Sequence, residues 1–450
     1  MKRSNVRRSQ EDGDALDEER STKRVKRHTD QTCTTTTTCT HTDNRVIGIV
    51  GDRPRLSLGK LTCSKPVVLR TFAVKPTSDF IGEFPFFSRP QELGHFSLEI
   101  DRTFANDNRH LKHYHPLSKE SDLNLDLRQG FETFVKRDDD VKERLDNVMK
   151  WIVHNKKHFL RPQRNVSVCY DIKDDDLIES LGIDFIAWRG HFTKFLCTPY
   201  ENRDGWEMAA TLFRGTIYIS EVETEEERQR RLGMNHWEQQ CMYGGYKFEQ
   251  YVTSDGKKSP DTSQPVNNIE AFCSVVRSDL GPYKLLYSGE VDCLQSVSKD
   301  KPPGNYLELK TSRKWYSQKN ENNFYRYKLV KWWAQSFLVG IPQVICGFRD
   351  DEGVVREIKH FKTMQMPKLS MGWWNGSVCF NFLVKFLDFI KSVTVIDDPS
   401  VVYLFERKPG NNVISYTVHQ ADGQQFIPEW YIRAFVKDSR PSSVETKATS

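Results

Sequence analysis

The 450-residue sequence has no C-x-x-C pair among its ten cysteines, no long apolar run free of charge, and no apolar segment after the initiating methionine. Scattered cysteines argue against a structural zinc site, and with no secretory leader the thiols are expected to be reduced, inside the cell. The most apolar tract, CFNFLVKFLDFIKSV, carries Lys385, Asp388 and Lys391, while Phe382, Leu383, Phe386 and Ile390 recur at helical spacing; it predicts an amphipathic helix and no membrane span. Walker loops, dinucleotide fingerprints and G-x-S-x-G elbows are also missing, which removes the common nucleotide-binding and serine-hydrolase readings. A strong excess of charge is lacking too. The net value is +5, which permits a polyanionic partner without requiring one.

What is present is a folded body between two polar tails. Residues 1–80 hold the charged stretch KRSNVRRSQEDGDALDEERSTKRVKRH and the threonine tract TCTTTTTCTHT, neither able to bury a core, and are expected to be disordered. Lys23 to Arg27, KRVKR, reads as a nuclear-localisation cluster, a nucleic-acid-binding tail or a solubilising run. Apolar residues persist over 81–437 without a linker, predicting a single domain of mixed helix and strand, followed by a second disordered tail at 438–450. Helices are expected in DDDVKERLDNVMKWIVHNKKHFL, with Val141, Leu145, Val148, Met149 and Ile152 on one face, and in ENNFYRYKLVKWWAQSFLVG, ended by Gly340. GTIYISEVE, KLLYSGEVDCL, NYLELKTS and PQVICGFRD read as strands.

NYLELKTS carries the chemistry. Alternation turns Glu308 and Lys310 to one face and Leu309 to the other, and SGEVDC repeats the device with Glu290 and Asp292. Crowded carboxylates repel unless a cation neutralises them, and hard oxygen ligands suit Mg²⁺ or Mn²⁺. Such a metal can activate water and polarise a phosphoryl oxygen, with Lys310 adding charge beside the scissile phosphate. The plainer reading is a cross-strand salt bridge on a solvated face. Apolar neighbours on both sides of each acid favour the site.

Other segments leave two readings open. MYGGYKFEQYV is expected to place Glu249 at the end of a short strand, as an edge carboxylate or a fourth acid. Gln335 shares a helical face with Trp332 and Val339 and is either a phosphate donor or a satisfied core amide. Trp188 and Arg189 before Gly190 offer a stacking surface with a guanidinium, or a core Trp beside a surface Arg. The acids opening DDDVKERL are expected to cap a helix, and His110, His113 and His115 of HLKHYH to mark a surface loop.

Taken in order, AWRG, GYKFE, GEVD, LELK and KWWAQSF resemble the decapping and exoribonuclease (DXO) family, over about Phe84 to Val436. The resemblance implies an α+β fold with a mixed β-sheet core of the PD-(D/E)XK nuclease type flanked by helices. It implies that Glu249, Asp292, Glu308 and the main-chain carbonyl of Leu309 hold Mg²⁺ or Mn²⁺, with Glu290 serving a second metal and the substrate. Lys310 and Gln335 would contact the scissile phosphate; Trp188, Arg189 and Gly190 would hold RNA; Arg102, Glu143 and Cys273 would lie on the substrate side. The implied activity is metal-dependent hydrolysis at the RNA 5′ end, on incomplete caps, NAD caps, triphosphate and monophosphate ends, with 5′-to-3′ trimming in RNA quality control. A monomer in the nucleus, with some presence in the cytoplasm, is expected. The alternatives are a scaffold that stabilises a nuclear 5′-to-3′ exoribonuclease and a DNA-directed nuclease of the same fold.

Overall fold

Parallel strands need a crossover, and the strand Tyr306–Arg313 reaches its parallel neighbour Gln343–Arg349 through the helix Leu329–Val339. That helix stops at Gly340, whose φ of 85° satisfies the last helical carbonyls without a Cβ clash. The computed structural model describes residues 70–155, 161–162, 179–295, 297–420 and 423–435. The nuclear-type cluster Lys23 to Arg27 and the tail 438–450 lie outside them.

Two mixed sheets organise this body. The seven-stranded sheet has Cys293–Leu294, Tyr306–Arg313, Gln343–Arg349 and Val354–Lys362 as consecutive neighbours. In the ten-stranded sheet, Phe185–Trp188 lies between Thr216–Val222 and Tyr283–Glu290, parallel to both, and Tyr283–Glu290 then pairs antiparallel with Ala271–Leu280. The largest core draws on both sheets, through Phe272, Val276 and Tyr287 on one side and Tyr306, Val344 and Phe348 on the other. The helices Arg189–Cys197, Leu329–Val339 and Gly376–Val393 complete it. Each sheet keeps a smaller core on its other face. Under the helix Asp146–Asn155 it contains Phe96, Val148 and Ile152; under the helix His236–Val252 it contains Phe248, Val252, Leu307 and Leu309.

Several expectations meet this architecture directly. The amphipathic tract is the helix Gly376–Val393, with Phe382, Leu383, Phe386 and Ile390 buried and Lys385, Asp388 and Lys391 exposed. Among the described residues no helix is long and apolar enough to cross a membrane. Cys197, Cys241, Cys273, Cys293, Cys346 and Cys379 are free thiols.

Four expectations need correction. The fold begins near residue 70, about ten residues early, because Thr71–Ala73 pairs with Val413–Ser415 and Phe72 packs its ring against Phe382, Phe386 and Phe389. The helix foreseen from Asp138 starts only at Asp146, so the acids do not cap it and Val141 is 55% exposed. Arg144 takes a left-handed φ of 46° and Glu143 is held by Arg102, and together they keep the preceding backbone out of the helix. MYGGYKFEQYV is helical, inside His236–Val252. A reciprocal cap opens that helix: the Glu238 N–H donates to the Asn235 side chain at 2.9 Å, and the Asn235 N–H donates to Glu238 at 2.8 Å. Its Gly244 serves close packing, since a Cβ there would meet Leu127 at 3.2 Å. HLKHYH is not merely a loop: His113–Tyr114 is a short strand between Thr253–Ser254 and Cys293–Leu294.

Candidate active site

The site forms where the chain leaves one sheet for the other. Val291 donates its N–H to Phe272 at 3.0 Å, the last link to the ten-stranded sheet, and Leu294 donates to the Lys112 carbonyl at 2.9 Å in the seven-stranded one. Glu290 and Asp292 therefore do not share the face of one strand, as alternation had suggested. Glu290 closes Tyr283–Glu290 opposite Cys273, whereas Asp292 precedes Cys293–Leu294. Because Cys293 pairs with Leu307, Asp292 arrives beside Glu308, and its carboxylate accepts the Leu309 N–H at 2.5 Å.

Glu308 is 1% exposed and fully engaged. One carboxylate oxygen accepts from Lys310 Nζ at 2.5 Å, the other from Arg189 Nη1 at 3.1 Å. Burial alone would raise this carboxyl; the Lys310 and Arg189 charges outweigh it and hold the group below its ordinary value. Arg189 opens the helix Arg189–Cys197 and lies across Gly289, where a Cβ would meet its Cδ at 3.0 Å. Asp292 is pushed well above the usual carboxylate range, first by burial and then by the charges of Glu308 and Glu249. Glu249, on the helix His236–Val252, is raised to about 7 by burial against the opposing charge of Lys112, with Glu290 adding to the rise.

These residues fit a divalent cation by the chemistry of their donors. Four carboxylates and the Leu309 carbonyl supply hard oxygen, and two of the acids sit in an environment that disfavours their negative charge. Their oxygens do not form a ready-made trio: among the described residues the one such set within 4.8 Å is Glu99, His110 and Glu270. The expectation of convergence is thus met in neighbourhood and not in ligand distance, because Lys310 and Arg189 each claim an oxygen of Glu308.

A cleft of about 670 Å³ adjoins the acids and shares Arg189 and Glu290 with them. Trp188, Gly190, Cys273, Arg102 and Glu143 also line it, so the substrate-side residues foreseen from sequence come together. Arg102 grips Glu143 through two hydrogen bonds of 2.6 Å and donates a third, of 2.5 Å, to the Ile269 carbonyl. Trp188 is pinned by its indole N–H, which donates to the Arg144 carbonyl at 2.6 Å. Gln335 is half-buried on the helix Leu329–Val339, outside the cleft lining, and makes no hydrogen bond to the acids among the described residues.

Sequence reasoning missed three neighbours. Arg137 and Tyr246 line the cleft, and Lys112 acts electrostatically on Glu249. Tyr246 stands inside GYKFE and Lys112 inside HLKHYH, but neither pattern says which way a side chain faces. The histidine segment also has a partner it was not expected to have, since the His110 ring lies 3.0 Å from Glu99.

A mixed sheet carrying Asp292 and then, on the next strand, Glu308-Leu309-Lys310 defines a nuclease of the PD-(D/E)XK class. The chain matches the family model described as RAI1 like PD-(D/E)XK nuclease over residues 88–432, and it belongs to that family. It is 43% identical to human "Decapping and exoribonuclease protein" over 366 residues, 80% of this chain and 88% of that one. The solved structure of Schizosaccharomyces pombe Rai1 with 3′-FADP is similar at 27% identity and a TM-score of 0.60, covering 78% of this chain and 99% of that one. Candida albicans Rai1 in complex with pU5-Mn²⁺ shares the fold at 22% identity and a TM-score of 0.66, over 81% and 99% of the two chains. The protein is accordingly a hydrolase acting on RNA phosphodiester bonds, of a class that depends on divalent metal.

Proposed function

We propose that this chain is an RNA 5′-end hydrolase of RNA quality control, removing incomplete and NAD caps, acting on 5′-triphosphate ends and trimming RNA 5′ to 3′. The observation that carries this reading is Glu308, buried between Lys310 and Arg189 with Asp292 beside it, where Arg189 also lines a cleft of about 670 Å³. The similarity to proteins named for decapping and exoribonuclease activity supports it.

Glu249, Asp292, Glu308 and the Leu309 carbonyl are assigned to Mg²⁺ or Mn²⁺, with Glu290 serving a second metal and the substrate. When bound, such a cation supplies Lewis acidity toward the phosphoryl oxygen and lowers the pKa of a coordinated water. Lys310 holds a positive charge beside the scissile phosphate, to which Gln335 is also assigned. Arg189 grips the phosphate as it exchanges part of its pairing with Glu308. Trp188, Gly190, Arg102, Glu143 and Cys273 shape the cleft that receives the 5′ group. One centre then serves every end chemistry, because only the placement of the 5′ group changes. We place the protein in the nucleus as a monomer, on the basis of Lys23 to Arg27 and of a site built within one chain.

The test is a panel of identical RNAs differing only at the 5′ end, incubated with purified protein and Mg²⁺ or Mn²⁺. Released caps, NAD or nucleotides are identified by mass. Release of intact NAD or a capped nucleotide is expected; cleavage confined to internal positions, whatever the 5′ group, would overturn the assignment.

A further inference from the structure

Pairing in the seven-stranded sheet brings three lysines to the sheet end at which Asp292 lies. Leu294 pairs in parallel with His113, so Lys112 and Asp292 leave their strands at the same end. Ser254 pairs antiparallel with His113, so the turn after it, Asp255 to Lys258, emerges at that end as well. Gly256, with a φ of 81°, folds this turn onto His113: a Cβ there would meet the imidazole at 2.9 Å.

Lys112 directly precedes the strand His113–Tyr114, its carbonyl accepting the Leu294 N–H at 2.9 Å, and Tyr114 of that strand packs against the core beneath the helix of Glu249. The charge of Lys112 is felt at Glu249 accordingly. Lys112, Lys257 and Lys258 are all exposed, and among the described residues none of them makes an ion pair with a carboxylate. Asp255 is the nearest acid to the turn, yet its carboxylate accepts the backbone N–H groups of Lys257 and Lys258 at 2.9 and 3.1 Å.

We infer that Lys112, Lys257 and Lys258 bind the RNA backbone on the 3′ side of the cleaved phosphodiester. The inference rests on the 5′-end reading above. A 5′-end hydrolase must enclose the terminal group and leave the rest of the strand an open exit; the cleft is lined by Arg102 and Trp188, whereas Lys112, Lys257 and Lys258 stand outside that lining, at the edge of the seven-stranded sheet. Three exposed ammonium groups without a direct ion pair suit successive phosphates, which amines bind as point charges without reading sequence.

The experiment uses the full chain and a 5′-monophosphorylated RNA of about ten nucleotides, the span of an ordinary single-strand site, labelled at its 3′ end. Anisotropy with metal omitted measures affinity across a salt series. Lys112→Ala is expected to weaken binding about 3- to 10-fold at low salt, and to flatten the plot of log affinity against log salt by about 0.7, the value for one phosphate contact on a single strand. Lys112→Ala/Lys257→Ala/Lys258→Ala should flatten it further, and Lys112→Arg should restore it. With metal present, KM should rise several-fold more for the long RNA than for a 5′-phosphorylated dinucleotide. An unchanged salt slope in the triple variant overturns the inference, as does an equal loss on both lengths carried in kcat. Wild-type protein that binds with this slope but releases no 5′ product leaves the surface standing and refutes the 5′-end reading instead.

Discussion

The two sheets meet at one site but contribute differently to it. The seven-stranded side supplies Glu308 and Lys310 on one strand and Asp292 just before the adjoining one, with Glu249 on a neighbouring helix, and its geometry is set by backbone pairing and burial. The ten-stranded side supplies Arg102, Glu143, Trp188, Arg189 and Cys273, held by side-chain bonds that span long stretches of chain, such as Arg102 to Glu143 and Trp188 to the Arg144 carbonyl. The first arrangement depends on strand register, the second on individual side-chain bonds between segments far apart in sequence.

The comparison is broken most directly at Asp292 and Glu308. Asp292→Asn or Glu308→Gln should lower single-turnover cleavage by about 10³-fold or more, as expected when charge stabilisation at a reacting phosphate is lost. Circular dichroism and retained RNA binding check that the fold survives. Residual cleavage within a factor of ten of wild type would move the chemistry away from this sheet.

Close packing on the seven-stranded side gives a second, smaller effect. Phe248 of the Glu249 helix lies over Gly347 in the strand Gln343–Arg349, where a Cβ would come within 2.7 Å of the ring. Gly347→Ala should therefore cost about 1–3 kcal/mol in urea unfolding by overpacking, and lower kcat as the helix of Glu249 is pushed from the sheet. Unaltered stability and rate would show that this helix has room to adjust.

The cleft side is tested through its own pair. Arg102→Ala and Glu143→Ala should each raise KM about tenfold, by about 1.4 kcal/mol, with a lesser effect on kcat. The double variant should fall well short of the summed loss, because both remove one interaction. Additive losses would mean that the two residues touch substrate independently.

How much of this was legible beforehand follows the same division. The juxtaposition of Glu308 and Lys310 was readable because strand alternation and an apolar surround act locally, and the sheet keeps local geometry. The relation of Glu290 to Asp292 was misread, since nothing in SGEVDC announces that the chain changes sheets at Val291. Glu249 was placed on a strand because Gly244, Gly245 and the aromatics resemble a turn and strand; the cap at Asn235 and Glu238 was the overlooked helical signal. Arg102 and Glu143 lie 41 residues apart, so only a family resemblance, not spacing, could suggest that they belong together. Lys112 was invisible for a related reason: its place in the sheet follows from the pairing of its neighbour His113 with Leu294 and Ser254, both far along the chain.

The smallest effect concerns the helix that carries Arg189 into the site. His191, 6% exposed, faces the Ile219 carbonyl at 3.1 Å, and its imidazole is lowered to about 3, first by burial and slightly by Lys194. The folded state thus refuses a proton that the unfolded chain accepts near pH 6.5. Stability is intact above that value and is lost as pH falls from 6.5 toward 3, at up to about 1.4 kcal/mol per pH unit. About 1.4 kcal/mol is lost between pH 7.5 and pH 5.5. Thermal unfolding of wild type and His191→Gln at pH 7.5 and 5.5 isolates the contribution: the variant should lose less on acidification, whatever its stability at pH 7.5. Equal losses would mean that His191 is protonated within the fold.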